Sequence, residues 1–371
     1  MSEAARDPAA MAAAREELLT FVRFNLLHEG GDFSLTDWTE STELTAGVLH
    51  QTAFRSARFD RARLGAARFM ACDLAGAVFT GAQLKDTAFT RCDLTGASFI
   101  GAALEKVNFV ECTMAGVRFS RAGLSDCALL KCDLGDAAFA GAKLDGISAL
   151  ECDIARIDLS GATATRMFMN RADLREAHLD GLSCDSVLLV DADLSGRDLR
   201  AVRLARANLM GANLSQTILA GMDLTGGFFM QCVAPGADFS GVHADSAHFS
   251  KADLTGACFA GARLANANFE DARLGGADFR DADLSMAVMN AAQAPGARFM
   301  GAGMAYTQLA RARLDGADAS GARFLRTNFH RSSTDGLLTL GASGGVLGTE
   351  PARAVAELYA PQKVRPWQEE A

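Results

Sequence analysis

Counting in fives from Leu44, a large apolar residue returns at almost every step as far as Phe329. Of the 58 positions in this register, 51 hold Leu, Phe, Met or Ile; the others are Ala149, Ala164, Cys184, Ala234, Ala244, Ala294 and Ala319. Helices repeat at 3.6 residues and strands at 2, so a strict period of five means that the chain turns a corner with each repeat. Two residues before each register position the side chain is small, usually Ala, Cys, Val or Thr, so large and small residues share one narrow interior. The residue just before the register position is usually polar (Asp73, Asn108, Asp173, Asn208, Asp253), and Gly often lies two residues after it. Those positions face solvent or shape the corner.

The segments ADLSG (192–196), ANLSQ (212–216) and ADLTG (252–256) carry the pattern in its plainest form. They resemble the A(D/N)LXX consensus of the pentapeptide-repeat family, and the resemblance extends over about three quarters of the chain. It implies a right-handed, four-sided parallel β-helix with four pentapeptides to a coil. The residues support four sides independently, because Phe59, Phe79, Phe99, Phe119 and Phe139 recur every twenty residues, as do Leu64, Leu84, Leu104, Leu124 and Leu144. The expected fold is an all-β solenoid of about 14 coils, roughly 65–70 Å long at the β spacing of ~4.8 Å. A rod of this kind has no cleft of ordinary enzyme depth.

An open solenoid exposes unpaired backbone at both ends, so caps are expected. Asp7 and Pro8 are helix-start residues, and Met11, Leu18, Leu19, Val22, Leu26 and Leu27 form an apolar stripe ending at Gly30-Gly31. Phe33 and Trp38 begin an entry coil, with one extra residue forming a bulge near residues 39–43 before Leu44. At the other end a Gly-rich link (341–348) precedes the helix-like run EPARAVAELYA, which either caps the last coil or pairs with another subunit. The resulting division is 1–32 for the helical cap, 33–330 for the β-helix and 331–371 for the tail.

Composition adds little chemistry. Nine Cys without a CxxC pair, and an N-terminus without the basic and apolar regions of a signal peptide, point to a cytoplasmic protein with reduced thiols. No run approaches the ~18 apolar residues of a membrane-spanning helix, so no membrane segment is expected. The formal charge of −9 is concentrated at the N-terminus: residues 1–50 carry 9 acids and 3 bases, whereas residues 51–330 carry 31 and 29. No spacing fits a phosphate loop, a dinucleotide fingerprint, a zinc site or a nucleophile elbow. No catalytic, metal or cofactor residue is assigned, and the chain is read as non-enzymatic.

Cys72, Cys92, Cys112, Cys132, Cys152 and Cys232 all fall on the small inward position of one side. Ala takes that position in other coils, so they read as small buried hydrophobes, with Cys258 alone pointing outward. His178, His243 and His248 precede register positions and are expected at the surface.

Two outward features suggest binding. Asp73, Asp93, Asp133, Asp153, Asp173, Asp193 and Asp253 form an acidic column on one side. Stacked like charges repel, so the column is solvated or used, although Asp is also the consensus residue there. The second feature is an apolar strip on an adjacent side, formed by Val110, Leu130, Leu150, Phe168, Leu188, Val190, Met210, Phe228 and Met230. An exposed strip across several coils marks a binding or self-association face, unless a terminal segment covers it. Arg197 occupies an inward small position, where an unpaired charge is costly, and predicts a distorted corner with the side chain turned outward or paired with Asp198 or another acid.

These features favour a protein-protein interaction scaffold whose partner docks on the central coils, with a homodimer through the strip or the tail also open. Family resemblance supplies a second reading, a DNA mimic that binds or protects DNA gyrase. Residues 122–200, with 14 acids and 8 bases, favour it, whereas the near-neutral repeat and the basic first coils oppose it. A third reading, an adaptor or cargo of a bacterial secretion system, rests on the resemblance alone. Direct nucleic-acid binding is not expected.

Overall fold

The computed structural model describes residues 8–358, and in it the five-residue register becomes a parallel β-solenoid of about 16 turns. Each rung pairs a residue with its counterpart twenty further on, as in Phe69↔Phe89 and Leu84↔Leu104. Two sides carry continuous parallel sheets, of eight and seven strands, through the first half of the rod. On the other two sides single bridges take their place. At all but two corners the residue two after the register position adopts positive φ, as Gly where it occurs and as Asp86, Lys106 or Arg121 elsewhere; the exceptions are Glu176 and Ala201.

The coil count exceeds the expected 14 because pairing runs further at both ends. Helix α1 (Pro8–Arg23) buries Leu18, Leu19 and Val22 against the first coil, as the apolar stripe predicts. It stops earlier than Gly30-Gly31, because Asn25 turns at φ 53° and sends Leu27–Glu29 into the sheet as β1, paired with β2 (Val48–His50). Leu26 and Leu27 are therefore exposed. The solenoid begins six residues ahead of Phe33, with His28 in the register position. Asp7, read as a helix-start residue, lies outside the described residues.

The bulge near 39–43 is present. Asp37 bridges Arg58, twenty-one residues on, whereas Arg63 bridges Gln83, twenty on. The amide of Glu40 bonds Asp60 and that of Ala46 bonds Gly65, which places the extra residue between them.

At the far end the ladder continues past 330 to a rung between Arg323–Asn328 and Ser343–Leu347. Gly344 makes this rung possible: at φ +89° its α-carbon lies so close to the preceding strand that a Cβ would fall 1.4 Å from the Phe324 carbonyl oxygen. The last coil was hard to see in the sequence because Thr334 and Thr339 hold its register positions. Helix α2 (Pro351–Glu357) buries no residue and rests on the coil's rim, where Glu357 meets Arg331 at 3.2 Å; within the helix Glu357 also pairs with Arg353 at 3.0 Å. Tyr359 and Ala360, the end of the predicted helical run, lie outside the described residues.

His28 is buried between Phe21 and Phe33, and its Nδ1 has no hydrogen-bond partner. Burial holds its pKa below the ordinary value, with Glu17 opposing. A base kept neutral this way contributes stability that is complete above its unfolded value of about 6.5 and is lost as pH falls through the folded value. Thermal denaturation should therefore show the wild type losing more stability than His28→Leu between about pH 7 and 5. Equal losses would refute this role.

The interior has two aromatic halves. In the first, rings stack coil on coil (Phe59–Phe79 4.7 Å, Phe79–Phe99 4.6 Å, Phe99–Phe119 4.9 Å), with Phe69, Phe89 and Phe109 set edge-on beside them. The second half repeats the arrangement from Phe229 to Phe299. Between Phe139 and Phe229 the core is aliphatic, and small register residues are offset by large partners: Ile147 before Ala149 and Leu182 before Cys184. The fit is looser here, with two apolar-lined voids of about 20 Å³ each.

The same stretch has three missing rungs. Bridges are absent between Asp153 and Asp173, between His178 and Asp198, and between Arg203 and Asp223, although each side is bridged immediately before and after. Each gap lies one coil and one side beyond the last, so together they form a short staircase around the rod. Beside the third gap is a pocket of about 230 Å³ lined by Arg200, Val202, Arg203 and Met222.

Arg197 accounts for the second gap and disturbs the corner beside the first. Its guanidinium donates to the carbonyls of Arg175 (2.9 Å) and Ala177 (2.7 Å). In the preceding coil the equivalent carbonyls, Ala155 and Ile157, accept from the amides of Asp136 and His178. By that pattern Arg197 occupies the acceptors of the Arg156 and Asp198 amides. The distorted corner is thus present, but the charge is met by backbone carbonyls and not by an acid; Asp198 pairs with Arg200 instead.

Candidate interaction surface

The sequence-predicted strip is assembled by the sheet register. Val110 lies beside Leu130, and Leu130 beside Leu150, on successive strands. Two residues across the same side, Phe168 bridges Leu188, and Asn208 bridges Phe228. Leu150, Leu188 and Phe228 are 37%, 39% and 42% exposed, while Val110, Leu130, Phe168, Val190, Met210 and Met230 are half-buried by their neighbours in the columns. Asn170 interrupts the column between Leu150 and Val190, and its Oδ1 is buried without a partner. Among the described residues neither helix covers the strip, since α1 packs on β1 and α2 meets His330 and Arg331.

The strip is also longer than predicted. Met70 joins Val110 through Thr90, and His248 stacks on Phe228 with ring centroids 5.2 Å apart. Both occupy the same offsets from the register as the predicted residues, which is the signal that would have found them.

The acidic column has a structural use. Asp73, Asp93, Asp133, Asp153, Asp173, Asp193 and Asp253 each accept, at Oδ1, the amide two residues on, closing the corner. This accounts for the consensus residue, and it leaves the second oxygen outward. Arg55 pairs with Asp73, Arg175 with Asp173 and Asp193, and Arg273 with Asp253. Asp93, Asp133 and Asp153 make no ion pair among the described residues. The Arg175 guanidinium holds the Asp173 carboxyl below the usual range.

Apart from Cys258, the cysteines point inward. The Cys92 thiol donates to the Phe69 carbonyl at 3.3 Å, the bond that the Thr87 hydroxyl makes to Leu64 at 2.7 Å on another side. Burial pushes the Cys184 and Cys232 thiols up to about 12, so both stay protonated at neutral pH. Cys152 is half-buried, as is Cys258, which lies just outside the core. His178 and His243 are exposed, whereas His248 is half-covered. Among the described residues no cluster of three or more His, Cys, Asp or Glu could hold a metal ion, and no helix is long and apolar enough to cross a membrane.

The profile of the pentapeptide repeat region matches residues 42–119, and that of pentapeptide repeats matches segments from 152 to 333. The chain belongs to the pentapeptide-repeat family. No curated protein sequence matches it. Among solved structures it is similar to QnrB1, a plasmid-mediated fluoroquinolone resistance protein, at 21% identity and a TM-score of 0.36 over 49% of this chain and 91% of that one. It is also similar to HetL, a pentapeptide-repeat protein involved in heterocyst differentiation regulation from Nostoc sp. strain PCC 7120, at 21% identity and a TM-score of 0.22 over 69% and 86%. A third is a pentapeptide-repeat protein of the Arabidopsis thaliana thylakoid lumen, at 24% identity and a TM-score of 0.15 over 30% and 70%. These likenesses are of fold.

Proposed function

We propose that this pentapeptide-repeat protein is a non-enzymatic, cytoplasmic scaffold that binds a protein partner along its central coils. The observation that carries the reading is the in-register apolar strip, because a regular solenoid offers solvent polar side chains at these positions, whereas here every coil from Val110 to Met230 places at least one large apolar side chain there. A surface of that kind gains by being covered. The Asp column beside it supplies charge at the rim, where charge selects partners.

The gyrase-mimic reading draws on the acidic middle, but much of that charge is locally neutralised. Asp136 pairs with Arg156, Asp145 with Arg166, Asp185 with Arg206 and Asp198 with Arg200. A duplex-like field needs about one uncompensated charge per ~1.7 Å of axis, which this surface lacks.

The test is the triple change Leu130→Asp, Val190→Asp and Phe228→Asp. All three sites are outward, so the variant should stay folded, with its melting temperature within a few degrees of wild type. Affinity capture of the natural partner should fall at least tenfold, as expected for loss of a desolvated apolar anchor. If partner capture and oligomeric state are both unchanged, the strip is not the binding face.

A further inference from the structure

The strip also constrains what kind of partner can lie on it. We infer, building on the scaffold reading, that its occupant is an amphipathic α-helix with an apolar face and a basic flank.

Backbone accounting comes first. On this side the bridge ladder is unbroken from Phe168↔Leu188 through Val288↔Gln308, and the strands before it pair without interruption. Every N–H and C=O of the ladder is therefore directed along the rod, and no open sheet edge borders the strip. An extended peptide laid there could not add a strand, and its own backbone groups would face apolar side chains unpaired. A helix satisfies its backbone internally and presents side chains alone.

Spacing agrees with this. From Val110 to Met230 the outer column spans six twenty-residue intervals, or about 29 Å at ~4.8 Å per coil. That is the length of roughly five helical turns at 5.4 Å. The two repeats differ by ~0.6 Å per turn, so apolar residues at i, i+4 and i+7 stay nearly in step with the column for about four turns.

Charge sets the flank. The corner between strip and Asp column carries Arg91, Lys131 and Arg171 against Glu111, Glu151 and Asp191, which cancel. Beyond it stand Asp93, Asp133 and Asp153, without ion-pair partners among the described residues. On the opposite flank the acids are already engaged, Glu105 by Lys85 at 2.8 Å and Asp145 by Arg166 at 2.7 Å. The uncompensated charge thus lies along one edge and is negative, which favours Lys or Arg on the matching edge of the helix.

The test titrates the full chain with labelled 20-residue peptides by fluorescence anisotropy. The first peptide has a Leu face flanked by Lys; a second scrambles its order, a third replaces Lys by Glu, and a fourth carries a central Pro. The first should bind at least tenfold more tightly than the other three and gain helical circular dichroism on binding. Asp93→Asn, Asp133→Asn and Asp153→Asn together should weaken it about five- to tenfold and flatten its salt dependence, the sum of modest exposed pairs. The Leu130, Val190 and Phe228 triple variant should abolish binding.

Equal affinity for the scrambled peptide, or binding without added helicity, overturns the helix inference. So does indifference of the Lys peptide to either set of substitutions. If instead the wild type proves to be a dimer that only the strip variant dissociates, and the first peptide does not compete, the helix inference fails while the strip remains a binding face.

Discussion

Replacing Phe99 by Ala should cost about 3–5 kcal/mol, the range for deleting a buried aromatic side chain. Phe99 is fully buried between Phe79 at 4.6 Å and Phe119 at 4.9 Å, with Phe89 and Phe109 edge-on at 6.2 and 6.1 Å. Its ring therefore has aromatic neighbours on four sides, and adjacent coils cannot collapse into the void without losing their rungs. In a solenoid each coil touches only its neighbours, so the loss falls on the half that contains it. The aliphatic middle, with its voids and missing rungs, interrupts propagation to the other half. The expected result is denaturation in two steps, the N-terminal half first. Fluorescence of Trp38, buried in that half, in a Trp367→Phe background should change at lower denaturant than far-ultraviolet circular dichroism as a whole. A single coincident transition at the wild-type midpoint would refute the argument.

The second large effect has the opposite sign. Arg197→Ala is expected to stabilise the protein by about 1–2 kcal/mol, the net value of one or two backbone hydrogen bonds regained. Ala fills the corresponding position in several other coils, as at Ala137, Ala177 and Ala237. Removing the guanidinium frees the Ala177 and Arg175 carbonyls for the Asp198 and Arg156 amides. It also removes a buried Nε that has no partner. Arg197 is half-buried, so little cavity is left behind. Hydrogen exchange supplies a residue-level check: the amides of Arg156 and Asp198 should exchange faster than those of Asp136 and Asp158 in the wild type, and the difference should shrink in the variant. Destabilisation, with those amides unchanged, would mean that the gaps have another cause.

The interior was legible from the five-residue register because burial alone selects it: Phe, Leu and Met at one position and small residues two before. The bulge near 39–43 was legible for the same reason, as a single slip between Trp38 and Leu44. The ends were not. Asn25 stops α1 through its backbone conformation, and β1 places His28 in a position otherwise apolar, so neither follows from hydrophobic pattern. The last coil was missed because Thr334 and Thr339 carry no apolar signal, while its pairing depends on the close approach at Gly344. At the surface, position relative to the register identified the strip but not its neighbours Met70 and His248. The Asp column looked chiefly like a charge feature until the corner amides bound to each Asp showed its local role. Arg197 was recognisable as a misfit, but the choice of backbone carbonyls over Asp198 depends on which groups the neighbouring coil leaves within reach.

The staircase of missing rungs has a mechanical meaning. Along most of the rod, tension applied at the two ends is shared by four parallel columns of hydrogen bonds. In the central turns one column at a time carries nothing, and the unloaded column rotates around the axis from coil to coil. Stretching and bending compliance is therefore concentrated at mid-length, beside the apolar strip, with two stiffer aromatic segments on either side. A rigid ligand seated across that point would act as a splint, and the flexural rigidity of the whole rod would then report its occupancy.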